Sequence, residues 1–242
     1  MAFQLLQVVP WGRTFDEYVA MFALSEQDLQ RPFLGCADGP ASFNCDLTKQ
    51  GGFVISIDPL YECAADEIRR RIVETFEKVI AETRKNMHQF VWEPISSIEE
   101  LGRLRMEAMG KFLADYDRGK EEGRYRSESL PSLSFSGGQF HLALCSHFLF
   151  LYSDQLDLEF HIESIREMCR VSKEARIFPL QQLGASPSPH VPAAVHYFED
   201  AGHRVDIVRV PYEFQRGGNQ MLRIRHAEEP AGGGAEERAP QP

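Results

Sequence analysis

The stretch Phe33-Leu34-Gly35-Cys36-Ala37-Asp38-Gly39-Pro40-Ala41-Ser42-Phe43 runs from a short apolar strand into a turn of small residues. Small residues let a backbone approach a ligand closely. About twenty residues on, a second apolar run, Phe53 to Ile57, ends on Asp58. An acid at the tip of a neighbouring strand accepts hydrogen bonds from ribose hydroxyls. The pair reads as a nucleoside site on a parallel α/β sheet. Leu60 and Tyr61, which follow the acid, are placed either to flank the base or to pack in the core.

The turn discriminates between nucleosides. A dinucleotide fingerprint places glycine at its first, third and sixth positions. Counted from Gly35, those positions hold Gly35, Ala37 and Pro40, and only the first matches. Proline removes one N–H from a pyrophosphate site, and Asp38 inside the turn repels phosphates. A cofactor without phosphates fits better. S-adenosylmethionine is one, and its ammonium and sulfonium are cationic.

The elements around the turn follow from periodicity and caps. Thr14 with Glu17 forms a capping box ahead of a helix over about 14–24. A first strand near 31–35 leads through the turn to a helix that begins near Pro40 and ends at Gly51-Gly52, and 53–57 is the second strand. A long helix spans about 64–85, and Phe90-Val91-Trp92 reads as a third strand. Ser96 or Ser97 caps a helix over about 97–118, expected as an insertion between strands three and four, whose far end, Asp115 to Arg126, is densely charged and expected in solvent. The run Phe140 to Phe150 contains a fourth strand, apolar enough to be buried on both faces. A helix over 157–171, a strand over 175–180 and a helix over 191–201 follow. Strands over 204–210 and 220–225 are too close for a helical crossover, which predicts an antiparallel hairpin.

Bulk properties bound the function. With 242 residues, 43% hydrophobic, the chain can bury a full core. A formal net charge of −10 argues against a nucleic-acid partner. Cys36, Cys45, Cys63, Cys145 and Cys169 form no CxxC pair, which fits a reducing cytoplasm and no metal site. The longest apolar run, Leu142 to Tyr152, is too short for a membrane span, and no signal peptide is evident. The tail, 227–242, has the composition of a disordered segment.

Together these residues resemble the class I S-adenosylmethionine-dependent methyltransferases. Their first motif commonly reads Leu-Gly-Cys-Gly-Thr-Gly, and this chain has Leu34-Gly35-Cys36-Ala37-Asp38-Gly39 in register, with Asp58 as the second-motif acid. Gln139 to His147 looks like their fourth strand. More narrowly, Trp11-Gly12-Arg13 and Tyr212 to Asn219 look like an uncharacterised bacterial and archaeal subgroup. The resemblance implies a Rossmann-like three-layer sandwich, with a seven-stranded, mostly parallel sheet whose last strand is antiparallel. It implies an N-terminal lid over 1–30 and a methyltransferase domain over 31–226 with a helical insertion at about 97–122. It implies S-adenosylmethionine as cofactor, held by Gly35, Cys36, Ala37, Gly39, Asp58, Pro59, Leu60, Ser146 and His147, with Arg13 and Tyr18 reaching in from the lid. His147 is the candidate base for methyl transfer to a small-molecule acceptor, and Tyr212, Arg216 and Asn219 are candidate acceptor contacts. Three positions depart from the family pattern: Ala37 for the central glycine, Phe33 for the acid before the motif, and His141 for an aspartate at the start of strand four. The first two motivate an alternative, a non-catalytic binding or regulatory protein of the same fold.

Overall fold

The computed structural model describes residues 9–226. The N-terminal part of the expected lid, 1–8, and the expected disordered tail, 227–242, lie outside them. Elements in chain order are α1 (Phe15–Met21), α2 (Glu26–Leu29), β1 (Pro32–Cys36), α3 (Phe43–Lys49), β2 (Phe53–Ile57), α4 (Ala65–Lys85) and α5 (Ile98–Glu121). Then come β3 (Tyr125–Arg126), β4 (Phe140–Ser146), α6 (Leu158–Val171), β5 (Ser172–Phe178), α7 (Val191–Asp200), β6 (His203–Arg209) and β7 (Gln220–His226). The sheet order is β3-β2-β1-β4-β5-β7-β6. β7 runs antiparallel to both β5 and β6, and the other pairings are parallel.

Alternation along the strands sorts their side chains between two cores. Phe33, Val54, Leu142 and Leu144 face α1 and α3 in one cluster. Leu34, Ile55, Ala143 and Cys145 face α6 and α7 in the other. Both faces of the central strands are therefore covered, the condition for a parallel sheet. The capping box forms as expected: Thr14 Oγ1 accepts from the Glu17 amide, and the Glu17 carboxylate accepts from the Thr14 amide. Ser97, not Ser96, caps α5, its hydroxyl accepting from the Glu100 amide.

Two expectations are corrected. Phe90-Val91-Trp92 is not a strand of the sheet. Phe90 makes one isolated antiparallel bridge to Gln215, the Val91 amide donates to the Phe214 carbonyl, and Phe90 and Trp92 pack on the Phe214 ring. Its apolar character serves that contact. The third strand is Tyr125–Arg126, so α4 and α5 together form an inserted helix pair between β2 and β3, not between β3 and β4.

The charged end of α5 is also not wholly solvated. Asp115 and Arg124 are buried. Arg124 Nη1 donates to Asp115 Oδ2 and to Asn44 Oδ1, each at 2.7 Å, and Tyr125 Oη donates to Asp115. A count of charges cannot show that two of them neutralise each other in the interior.

Candidate functional site

A cavity of about 810 Å³ lies at the carboxyl ends of the strands, between the Gly35–Gly39 turn, the N-terminal segment and α4. Open α/β sheets place ligands there, and the volume is ample for a small molecule.

The turn is organised by Asp38. Its carboxylate folds back under the loop, accepting from Ser56 Oγ at 2.6 Å and from Tyr18 Oη at 2.8 Å. A Cβ on Gly35 would lie 1.8 Å from Asp38 Oδ2, so glycine is required at that position by the acid three residues on. Asp58 closes the other side. Its Oδ2 accepts from the Gly39 amide at 2.9 Å, and its Oδ1 accepts from the Leu60 amide at 2.8 Å. Each oxygen retains a lone pair for a further donor. Tyr61 Oη donates to the Gly39 carbonyl from behind. A Cβ on Gly39 would meet nothing nearer than Asp58 Oδ2 at 3.9 Å, so the turn is open on its cavity side.

Burial raises the pKa of Asp38 to about 6, against the hydrogen bonds of Ser56 and Tyr18, with Asp58 adding a further upward push. Burial also raises Asp58, although the Leu60 and Gly39 amides oppose it. No lysine or arginine among the described residues pairs with either carboxylate.

Ala37 has φ 52°, in the left-handed region that favours glycine. The departure from the family glycine is therefore a matter of backbone strain as much as of room. Alanine in that region costs about 1–2 kcal/mol, against about 0.5–1 kcal/mol of extra chain entropy for glycine. Ala37→Gly should raise stability by up to about 1 kcal/mol in a urea titration. A loss of stability would contradict the strained geometry.

The N-terminal segment crosses the turn at Gly12, where a Cβ would lie 2.0 Å from the Pro40 carbonyl oxygen. That crossing delivers Arg13, whose carbonyl accepts from the Ser42 amide and whose Nη1 donates to the Trp11 carbonyl at 3.1 Å. Arg13 Nε is buried with no partner among the described residues. Burial and the nearby Arg105 both lower the Arg13 pKa.

Next to it lies an ionic hub absent from the sequence reading. Glu17 on α1 takes both terminal nitrogens of Arg105 on α5, at 2.5 and 2.7 Å, and Tyr212 Oη from the β6–β7 loop at 2.9 Å. Arg105 is 0% exposed. Burial would raise the Glu17 pKa, but the Arg105 charge and hydrogen bonds hold it at about 2.

At the end of β4, His147 also has a positive φ of 52°. Its Nδ1 lies 2.9 Å from Ser146 Oγ, and its ring packs edge-on to Phe178. Nε2 has no partner among the described residues. Burial, then the charges of Arg13 and Arg105, push its pKa well below the ordinary histidine value, so the ring is neutral at pH 7. Strain at a cavity-lining residue is a mark of a functional position.

Of the residues singled out above, Arg13, Tyr18, Ala37, Gly39, Asp58, Pro59, Leu60, Ser146 and His147 converge on the cavity. Gly35 lies beneath it, occupied by Asp38. Cys36 is fully buried in the sheet core, and neither it nor Gly35 is among the lining residues. Tyr212 serves the Glu17 hub, Arg216 donates to the His88 and Phe90 carbonyls, and Asn219 donates to Glu213. None of these three lines the cavity; Phe214 and Gln215 of the same loop do. The segment after the true β3, Glu128 to Leu130, also lines it and was missed because that strand is two residues long. Among the described residues no cluster of histidine, cysteine, aspartate or glutamate could hold a metal ion, and no helix is long and apolar enough to cross a membrane.

The strand order, with β7 alone reversed, a glycine turn after β1 and an acid after β2, is the Rossmann-like fold of class I methyltransferases. The chain belongs to the family of the uncharacterized protein MJ0045 of Methanocaldococcus jannaschii, to which it is 32% identical over 224 residues, 91% of this chain and 97% of that one. No family model matches it. Among solved structures it is similar to magnesium protoporphyrin IX methyltransferase from Synechocystis PCC 6803 with bound SAM, at 12% identity, 88% of this chain, 78% of that one and a TM-score of 0.46. It is also similar to a SAM-dependent methyltransferase from Methanosarcina mazei, at 15% identity, 85% of this chain, 95% of that one and a TM-score of 0.43. Both likenesses are distant, and the fold assignment rests on the strand order itself.

Proposed function

We propose that this chain binds S-adenosylmethionine in the cavity and transfers its methyl group to a small-molecule acceptor. One observation carries the reading: two carboxylates without a cation, the buried Asp38 and the half-buried Asp58, stand at the turn, while Arg13 brings a buried guanidinium nitrogen without a partner into the same cavity. A buried charge without a counter-charge is costly, and a ligand that supplies the opposite charges offsets that cost. An amino-acid carboxylate suits Arg13, and ammonium and sulfonium charges suit the acidic turn. A pyrophosphate would meet the same acids with the wrong sign.

In this reading Asp58 accepts hydrogen bonds from the ribose hydroxyls and Leu60, Ser129 and Leu130 flank the base. When bound, the cofactor would supply an electrophilic methyl carbon, with sulfur as its leaving group, to an acceptor that gives up a proton. The protein's share is alignment and exclusion of water. His147, neutral and with Nε2 free of partners among the described residues, takes the proton.

Isothermal calorimetry tests the core of this. Binding in the micromolar range is expected, and no heat at millimolar cofactor sinks the reading. A pH series adds a sharper check. A bound cation stabilises ionised Asp38, so its pKa falls on binding and a proton is released. Affinity should be flat above about pH 7 and fall below about pH 6, by at most about tenfold per pH unit. In the free protein the same raised pKa removes stability as pH rises from about 3.8 through about 6. Equal affinity at about pH 5 and about pH 7 would show that ionised Asp38 does not serve the ligand.

A further inference from the structure

The cavity has two halves of different chemistry, and the strand order separates them. Over β3, β2 and β1 lie the charged and polar groups: Glu128, Asp58, Asp38 and the face of α4 that carries Arg71, Glu74 and, midway along the helix, Lys78. Over β4, β5 and β7 the wall is made by the segments that follow β4 and β5 and by the loop that leads into β7. Leu151 comes after β4, Leu183 comes after β5 and donates its amide to the Leu151 carbonyl, and Phe214 belongs to the β6–β7 loop. Val79 on α4, with Phe90 and Trp11, completes this side as one apolar cluster. His147, at the tip of β4, stands on the boundary.

Apart from Lys78, which directly precedes Val79 on α4, and Arg13, whose Nη1 donates to the Trp11 carbonyl and which the cofactor carboxylate would occupy, the second half carries no charged side chain among its described lining residues. Its few polar groups are turned to the protein's own backbone. Thr83 Oγ1 donates to the Val79 carbonyl at 2.8 Å, and Gln215 Nε2 donates to the Gln182 carbonyl at 3.4 Å. Its aromatic rings are already arranged against one another: Phe90 and Phe214 stack at 4.9 Å, and Trp92, outside the lining, supports Phe214 edge-on at 5.6 Å. Such a wall favours flat rings by offset and edge contacts, and it penalises an ionised group that would enter without a counter-charge.

We infer that the methyl acceptor is an uncharged, apolar, ring-bearing molecule, seated over β4, β5 and β7 with one nucleophilic oxygen or nitrogen at His147. This rests on the methyltransferase reading, since that reading supplies the cofactor in the other half. The acceptor atom gains the methyl carbon and loses its proton to the imidazole, so nothing beyond the cofactor is consumed.

The test uses the full chain and a pair of probes that share a ring system and differ in charge, 1-naphthol and 1-naphthoate. Each is titrated by calorimetry with and without S-adenosylhomocysteine. Naphthol should bind at least about tenfold more tightly than naphthoate, a difference of about 1.4 kcal/mol. Leu183→Asp and Phe214→Ser should each weaken naphthol by at least about tenfold, with S-adenosylhomocysteine affinity kept within about twofold. Retained S-adenosylhomocysteine binding also reports that the variants fold. Equal binding of the two probes, or no binding of naphthol by protein that holds S-adenosylhomocysteine, overturns the acceptor class and leaves the cofactor reading intact. Naphthol binding by protein that holds no S-adenosylhomocysteine overturns the cofactor reading, and the acceptor assignment falls with it.

Discussion

Asp58→Asn is expected to weaken S-adenosylmethionine binding by at least about 100-fold. A hydrogen bond to an ionised carboxylate contributes about 1.5–3 kcal/mol, and a ribose offers two hydroxyls to this one. Losing both reaches about 3 kcal/mol at the low end, which is about two decades of affinity. The substitution acts a second time through the scaffold. Both oxygens hold backbone amides, Gly39 and Leu60, and an asparagine amide nitrogen can accept from neither. A stability loss of about 1 kcal/mol is the scale for a lost cap. Calorimetry gives the affinity and a urea titration gives the fold. Near wild-type affinity in a folded variant would remove Asp58 from the site.

Arg105→Met should cost about 3–5 kcal/mol of stability, the scale for breaking a buried ion pair from one side. The loss comes mainly from what remains. Glu17 would stay 12% exposed with a full charge and only Thr14 and Tyr212 as donors. Because Glu17 holds α1, α5 and the β6–β7 loop at one point, the damage should spread to the segment that carries Arg13 and Tyr18. Adding Glu17→Gln to that variant should recover part of the stability, since the stranded charge is then gone. The wild type carries a pH signature of the same pair. The Glu17 pKa is depressed, from 4.5 to about 2, so its contribution is present above about pH 4.5 and is lost as pH falls towards about 2. Denaturant titrations of the two variants beside the wild type read all three statements; an Arg105→Met protein as stable as wild type would contradict them.

Much of the architecture was legible along the chain because it is local. The capping box of Thr14 and Glu17 spans one turn, and the strand at Phe53–Ile57 is bounded by Gly51-Gly52 and Asp58. The small-residue turn and the acid after β2 were legible for a related reason: a parallel strand pair brings the two strand ends together whenever both strands exist. The misread third strand has an equally physical cause. Phe90-Val91-Trp92 has strand composition but spends it on Phe214, far along the chain, while Tyr125–Arg126 is a strand by pairing alone. Its neighbour Arg124 looked solvated until Asp115 and Asn44 were seen around it.

The turn itself divides the two sources of information. The sequence alone determined that small residues follow β1, that an acid follows β2, and that the spacing does not suit a pyrophosphate. Those are properties of neighbours along the chain. Only the tertiary structure decided that Asp38 lies under Gly35, that Ala37 takes a left-handed backbone, and that Glu17 meets Arg105 across 88 positions. Such contacts depend on which strand lies beside which and on how closely backbones cross, as at Gly12 and Pro40. Charge becomes informative in the same way: a carboxylate without a cation is ordinary in water and costly in a cavity, and only burial tells the two apart.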